Sequence, residues 1–380
     1  MKNVQNHLSR IDSINLGSFY TPVHMVGWFY DRIKTFPEIK KYTIIDTSCG
    51  YGSFLKEDIS NRRIGVDIDE IAINKANIKG VETYCFNSLY KISRANFNIS
   101  DSEPILIIGN PPYNDTTSII RNNIKNKIKI KIDDDIKTRD LGMSFMLSYN
   151  KLNADYVCIL HPLSYLIKRA NFNLIKNFMS NYKLIDDIIF SSSEFNGTSK
   201  AISFPILAAI YKKDKIGMKY EDILNYNFKT FEGKSFRISD YSYINQYLSK
   251  YPNINRINDK NNIVARFYTM RDINALRRSR TFINEDITNT VYVEKEKLPY
   301  YCYVDIFKKY TDNIPYYFGN LDIIIDLEEF NKNKDAFIYE SINNNNILSK
   351  QFKFREVSDS KAKVEKYFRK LLGEHYVEGR

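Results

Sequence analysis

The stretch Ile105-Leu106-Ile107-Ile108-Gly109-Asn110-Pro111-Pro112-Tyr113 decides how the rest of the chain is read. Its first half is a short apolar, β-branched run, the pattern of a strand buried on both faces. The run stops at Asn110-Pro111-Pro112. Neither proline can donate to a sheet ladder, and the residue before each is held extended. A rigid loop therefore leaves the carboxyl end of a buried strand, where open α/β sheets place their ligands.

That loop suits a planar exocyclic amino group. Such a nitrogen carries two hydrogens and a lone pair delocalised into its ring, so it is a poor nucleophile. Two acceptors, the Asn110 side-chain oxygen and the Pro111 carbonyl, would hold both hydrogens and draw the nitrogen toward tetrahedral geometry. Tyr113 would offer a stacking face for the ring. The same four residues also fit a plain strand end with a Pro-Pro turn, so the neighbouring stretches carry weight.

Working outward toward the N-terminus, Lys41–Asp46 reads as a buried strand followed by Thr47-Ser48-Cys49-Gly50-Tyr51-Gly52. Two glycines just past a strand allow the backbone to approach a ligand closely, with a helix expected to follow. The third glycine of a dinucleotide fingerprint is absent, Leu55 standing there, and Asp46 precedes the loop. A carboxylate there disfavours a pyrophosphate and favours a ligand with a cationic end, such as the ammonium of a methionine moiety. Arg63–Asp69 is a second strand. Asp67 lies about 20 residues beyond Asp46, the spacing of an acid that accepts a ribose hydroxyl. Asp69 fits the cap of a helix over Glu70–Lys79. A third strand, Glu82–Phe86, ends at Asn87-Ser88, where the Asn87 side-chain carbonyl is placed to accept from an adenine amino group. Upstream, Phe19-Tyr20-Thr21-Pro22 opens a helix over Val23–Arg32.

Downstream, residues 114–139 read as a long polar loop beside the site, with Lys125, Lys127, Lys129 and Lys131 alternating with isoleucines. A helix with apolar positions Leu141, Phe145, Tyr149 and Leu152 follows, then strands Tyr156–Leu160, Leu184–Phe190 and Ala201–Tyr211. His161 reads as structural. Phe195, between the last two strands, is placed to be a second stacking face opposite Tyr113; the bland alternative is a loop anchor. The alternation fades at the charge run Lys212–Lys215, which puts a catalytic domain at 1–214 and a second domain at 215–380. In the latter, Arg266, Arg271, Arg277, Arg278 and Arg280 are interleaved with Phe267, Tyr268 and Phe282, a pattern for phosphates and bases or for a solvated face.

Composition narrows the class. With 380 residues, 43% of them hydrophobic, the chain is long and apolar enough for two folded domains. The net charge of +11 is spread over both halves, which favours a polyanion touching both. The 4 cysteines form no CxxC and the 4 histidines are scattered, so neither a disulfide framework nor a metal site is expected. No signal peptide or membrane span is read, and the expected location is the cytoplasm.

Over residues 17–211 the chain resembles the γ-class DNA adenine-N6 methyltransferases of bacterial type II restriction–modification systems. The elements stand in that class's order: Phe19-Tyr20-Thr21-Pro22, the loop Asp46–Gly52, Asp67, then Asn110-Pro111-Pro112-Tyr113. The resemblance implies an α/β, Rossmann-like S-adenosylmethionine-dependent methyltransferase sheet with helices on both faces, plus a smaller C-terminal α+β DNA-recognition domain. It implies S-adenosylmethionine as methyl donor, held by Tyr20, Thr21, Asp46, Cys49, Gly50, Gly52, Asp67, Ile68, Asn87, Ser88 and Asn110. Catalysis would fall to Asn110, Pro111, Pro112 and Tyr113 on an adenine flipped out of double-stranded DNA, with Tyr113 and Phe195 sandwiching the base and no metal. One active site with one recognition domain points to a monomer, and the resemblance implies a cognate restriction endonuclease encoded nearby. Two departures stand out: the family usually has Asp where Asn87 stands, and Phe195 is placed by position alone. The same amide logic also serves glutamine methylation on release factors, rRNA adenine methylation and cytosine-N4 methylation. A binding module on an inactive methyltransferase fold and an NAD-dependent dehydrogenase are the readings from other classes.

Overall fold

The computed structural model describes residues 21–76, 78–113, 130–195 and 203–378. The chain divides into two compact units, Met1–Ser235 and Phe236–Arg380. The division falls beyond the Lys212–Lys215 charge run. The chain does not leave the first unit there, because Thr230 still bridges to Ile189 and Phe231 N–H donates to the Ile189 carbonyl at 3.0 Å.

The first unit is built on seven strands: β1 Thr43–Asp46, β2 Arg62–Asp67, β3 Val81–Cys85, β4 Ile105–Gly109, β5 Tyr156–Pro162, β6 Tyr182–Ser191 and β7 Pro205–Lys213. Their spatial order is β3-β2-β1-β4-β5-β7-β6. Pairings from β3 through β5 are all parallel, and β7 runs antiparallel between β5 and β6. This is a doubly wound, Rossmann-like sheet with one antiparallel strand inserted near its edge, the fold class the sequence led us to expect. The chain winds outward from β1 to β3, then returns to lay β4 on the other side of β1. The carboxyl ends of β1 and β4 therefore flank the switch point, where such sheets bind ligands.

The run Ile105–Gly109 is buried at every position, so both faces of the sheet are covered. One face carries Ile44, Leu106, Ile108, Cys158 and Leu160, which pack with Met25, Trp28, Phe29 and Ile33 of α1, Val23–Ile33. Phe29 and Ile33 are fully buried, each contributing on the order of 2–3 kcal/mol by removing apolar surface from water. Pro22 stands at the N-cap of α1 with φ −56°, and its carbonyl accepts from the N–H groups of Met25 and Val26.

Helix α2, Glu70–Lys75, is capped by Asp69, whose side chain accepts from the Ile71 and Ala72 N–H groups. It ends before the expected Lys79, at a C-cap on Ala76 whose N–H reaches the Ala72 and Ile73 carbonyls, and Gly80, with a positive φ of 77°, turns the chain into β3. Helix α3, Leu141–Leu152, is capped by the Asp140 carboxylate. The expected stripe of Leu141, Phe145, Tyr149 and Leu152 is buried, and so are Met143, Ser144, Met146, Leu147 and Ser148. A helix buried nearly all round lies between layers rather than on a surface. The helix expected after the glycine loop is instead a single 3-10 turn, Ser53–Leu55. Phe54 and Leu55 are drawn into the core, which leaves only a short span before β2 begins at Arg62.

The second unit is a smaller α+β assembly. Helices Leu298–Lys309, Leu327–Asn344 and Ser360–Leu372 enclose an aromatic core in which Tyr303 meets Phe330, Phe337, Tyr367 and Phe368. An antiparallel ribbon pairs Ile263–Tyr268 with Thr290–Glu294. Asp305 is buried, and its carboxylate accepts from Ser341 at 2.9 Å and Asn345 at 3.1 Å, and also from Thr281. Among the described residues no helix is long and apolar enough to cross a membrane.

Candidate cofactor and substrate site

Four strand ends converge on a cavity of about 150 Å³. It is lined by Asp46 and the loop Thr47–Tyr51 after β1, Asp67 and Ile68 after β2, Phe86–Leu89 after β3, and Asn110 and Pro112 after β4. Thr21 enters from the start of α1, and Leu141 and Phe145 from α3.

The glycine loop is tied down on one side by Cys49 N–H, which donates to the Val66 carbonyl at 2.9 Å. Gly50 and Gly52 adopt φ of 51° and 73°, a region that L side chains avoid. A Cβ at Gly52 would also lie 2.5 Å from Ile78 Cδ1, so the turn requires glycine on two counts.

Asp67 holds this loop in place. Its Oδ2 accepts from Gly50 N–H at 2.8 Å and its Oδ1 from Asp69 N–H at 3.0 Å. Each oxygen keeps a second lone pair, so the acceptor role toward a ribose hydroxyl is compatible with this geometry. Asp46 is 2% exposed and accepts only from Ser48 N–H, at 3.1 Å, among the described residues. Burial pushes its carboxyl up to about 8, the Ser48 bond opposing and the nearby Asp67 charge adding. Asp67 is raised too, chiefly by burial, against the N–H bonds from Asp69 and Gly50. Neither carboxylate meets a cationic side chain among the described residues. Two desolvated acids facing one cavity present a site for a cationic ligand. Burial drives the Cys49 thiol far above its ordinary range, so it lines the wall without being a nucleophile.

At the end of β4, Asn110 Nδ2 donates to Thr21 Oγ1 at 3.1 Å. Its Oδ1 is buried and has no hydrogen-bond partner among the described residues. A buried carbonyl oxygen without a donor costs about 1–3 kcal/mol. It is the acceptor a bound amino group would satisfy. The Tyr113 phenol is raised by burial, opposed by a hydrogen bond from Asn110. Tyr113 packs beside Gly142, where a Cβ would lie 3.1 Å from the Tyr113 Cβ.

Several expected site residues stand elsewhere or are otherwise engaged. Asn87 Oδ1 accepts from Leu89 N–H at 3.0 Å and its Nδ2 donates to the Lys131 carbonyl at 2.8 Å, so it ties two loops together. Ser88 lies buried with its hydroxyl on the Thr47 carbonyl at 2.8 Å. Phe195 is 3% exposed in the cluster under α1 and does not line the cavity. His161 is a core residue between Tyr211 Oη at 2.7 Å and the Pro162 carbonyl at 3.0 Å, and burial lowers its pKa to about 4. Tyr20 and the lysines at 125, 127 and 129 lie outside the described residues. The end of that long loop is described, and Ile130 reaches the cavity wall. Leu141, Phe145, Phe86 and Ile130 are lining residues that sequence reasoning missed. They read as ordinary apolar positions, and only the fold turns them toward the site.

In the second unit, Arg266, Arg271, Arg278 and Arg280 are exposed. Arg277 is not. Its Nη2 donates to the Ile314 carbonyl at 3.0 Å and to the Thr311 carbonyl, closing a turn. Arg280 stacks over Tyr268 at 5.2 Å.

No protein-family model matches the chain. A curated relative, Ycf2 from Physcomitrium patens, is 29% identical over 227 residues, which is 59% of this chain and 9% of Ycf2. Among solved structures, a type I restriction-modification system methyltransferase subunit from Streptococcus thermophilus superposes with a TM-score of 0.36 at 16% identity, covering 52% of this chain and 45% of that one. The DrdV–DNA complex gives a TM-score of 0.39 at 15% identity, covering 63% of this chain and 30% of that one. The chain thus spans less than half the length of each of these proteins. At such similarity the functional reading has to come from the geometry of the site.

Proposed function

We propose that the chain is a methyltransferase that uses S-adenosylmethionine to methylate N6 of an adenine flipped out of duplex DNA. The observation that carries this reading is the buried Asn110 Oδ1, unpartnered among the described residues, beside a cavity lined by two buried acids, Asp46 and Asp67, that meet no cationic side chain there. The residues fit the cofactor. Asp46 and the Cys49–Gly52 turn suit its ammonium and methionine end, Asp67 its ribose, and Ile68 its adenine, beside the Asn87–Ser88 wall, where Asn87 Oδ1 keeps one lone pair beyond its bond from Leu89.

Bound there, the cofactor supplies an electrophilic methyl group. The chain's own contribution is to activate the acceptor nitrogen. Asn110 Oδ1 and the Pro111 carbonyl take both amino hydrogens, which localises the lone pair on nitrogen and turns it toward the electrophile. The same two dipoles stabilise positive charge as it grows on that nitrogen. Pro111 and Pro112 keep the loop rigid, and Tyr113 and Phe195 supply stacking faces once the base enters. Because Phe195 is buried while Tyr113 is half-buried, base entry entails movement of Phe195.

The division of labour follows. The unit ending at Ser235 is the catalytic part, and the unit Phe236–Arg380 recognises the target through exposed arginines such as Arg266 and Arg280. A monomeric modification enzyme in the cytoplasm, paired with an endonuclease encoded nearby, completes the reading.

The test is methyl transfer from labelled S-adenosylmethionine to unmethylated duplex DNA, with ribosomal RNA and release factor run in parallel. Label in DNA supports the proposal. Label confined to RNA or protein, or none at all, overturns it.

A further inference from the structure

The methyltransferase reading leaves Thr21 as one contact among many for the cofactor. The structure gives it another task. Thr21 is 3% exposed, and its Oγ1 accepts from Asn110 Nδ2 at 3.1 Å across 89 positions of sequence. With Nδ2 held by a hydroxyl oxygen, Oδ1 is the end left over, and it has no partner among the described residues.

A carboxamide rotates readily about its last torsion, so an asparagine that must present oxygen needs something to hold its nitrogen. Thr21 is well suited to do so. It is β-branched and therefore stiff at χ1. It sits immediately before Pro22, whose fixed φ begins α1, and α1 is anchored by the fully buried Met25 and Phe29. The hydroxyl is thereby referenced to the rigid body of the domain and not to a loop.

We infer that Thr21 is a positioning residue for catalysis, holding the Asn110 side chain so that Oδ1 faces the amino group to be methylated. The inference rests on the methyltransferase reading. It separates Thr21 from a simple role in cofactor affinity, because loss of the hydroxyl should act on the chemical step.

The experiment compares wild type, Thr21→Val and Thr21→Ser in three ways. Calorimetry measures affinity for S-adenosylhomocysteine. Single-turnover methylation of DNA is followed at saturating cofactor. Hydrogen exchange of the Asn110 side-chain amide is read by NMR on asparagine-labelled protein with no cofactor or DNA. For Thr21→Val the expected results are cofactor affinity within about twofold, a single-turnover rate lower by about 10- to 100-fold, and faster amide exchange. Thr21→Ser should restore rate and exchange. A Thr21→Val protein with an unchanged saturated rate and weakened cofactor binding would overturn the inference and make Thr21 a cofactor contact. If wild type methylates no DNA, the methyltransferase reading fails, and the exchange measurement still decides whether Thr21 holds the amide.

Discussion

Gly109 and Asp46 are packed so closely that a Cβ on Gly109 would lie 2.6 Å from Asp46 Oδ1 and 3.0 Å from its Cγ. The last residue of β4 thus has no side chain because the buried carboxylate at the end of β1 occupies that space. Gly109→Ala should displace Asp46 and the adjoining Asn110 together. We expect a stability loss of about 1–3 kcal/mol from the forced shift and a fall of at least tenfold in affinity for S-adenosylhomocysteine. Urea denaturation and calorimetry on the one variant check both. Unchanged cofactor affinity would mean that Asp46 does not contribute to that site.

Asp46, with its carboxyl raised to about 8, is mostly protonated in the empty protein at pH 7. Binding of a cationic ammonium against it favours the charged form, so cofactor binding at pH 7 should release a proton. Calorimetric enthalpies in buffers of different ionisation enthalpy would reveal that release, and Asp46→Asn should abolish it. The linkage sign for folding is opposite to that of a salt-bridged acid. A raised carboxyl favours the folded state most fully below pH 4, and this contribution is lost as pH rises to about 8. Asp46→Asn should therefore be more stable than wild type by a margin that grows from pH 4 and levels off near pH 8. A stability difference that does not vary with pH would contradict this.

His161 has the reverse dependence. Burial depresses its pKa to about 4 against about 6.5 for a free imidazole. The neutral ring donates from Nδ1 to the Pro162 carbonyl and accepts from Tyr211 at Nε2. Stability from keeping it neutral is fully present above pH 6.5 and is lost as pH falls to about 4, in total about 3 kcal/mol. In denaturant titrations wild type should lose stability across that window more steeply than His161→Gln. Parallel profiles for the two proteins would sink the assignment.

Among the arginines of the second unit, Arg277 and Arg280 should separate cleanly. Arg277→Ala takes the side-chain donor from the Ile314 carbonyl and leaves the Thr311 carbonyl with the Ile314 N–H alone, at a cost of about 1–3 kcal/mol in stability. Arg280 is exposed and its contact with Glu285 is long, at 3.9 Å, so Arg280→Ala should change stability by under about 0.5 kcal/mol. It should instead weaken DNA binding and flatten its salt dependence. Equal effects of the two substitutions on DNA affinity would contradict this division.

What the sequence made legible was local. Ile105–Ile108 could only be a buried strand, and Asn110-Pro111-Pro112 could only end it. Asp69 announced a helix cap, and the polar groups at the strand ends Asp46, Asp67, Asn87 and Asn110 pointed to one ligand site, and they line one cavity. What it hid depends on three-dimensional neighbours. The glycine loop makes one 3-10 turn because Phe54 and Leu55 are recruited into the core, which no helix signal encodes. Phe145 and Leu141 belong to a helix buried on nearly every side, so their periodicity cannot show which of them meets the site. Arg277 looks like its neighbours in sequence and differs only in the carbonyls it reaches. The Thr21–Asn110 bond joins residues too distant for spacing to connect.

Asn110 is the residue on which the proposed reaction turns, its buried Oδ1 being the acceptor for an adenine amino group. The decisive measurement is mass spectrometry of nucleosides from unmethylated duplex DNA incubated with S-adenosylmethionine and either wild type or Asn110→Ala, both checked for intact fold and cofactor binding. The expected result is N6-methyladenine from wild type and a loss of at least about a hundredfold with Asn110→Ala. Methylation at another base position, or an Asn110→Ala protein as active as wild type, would contradict it.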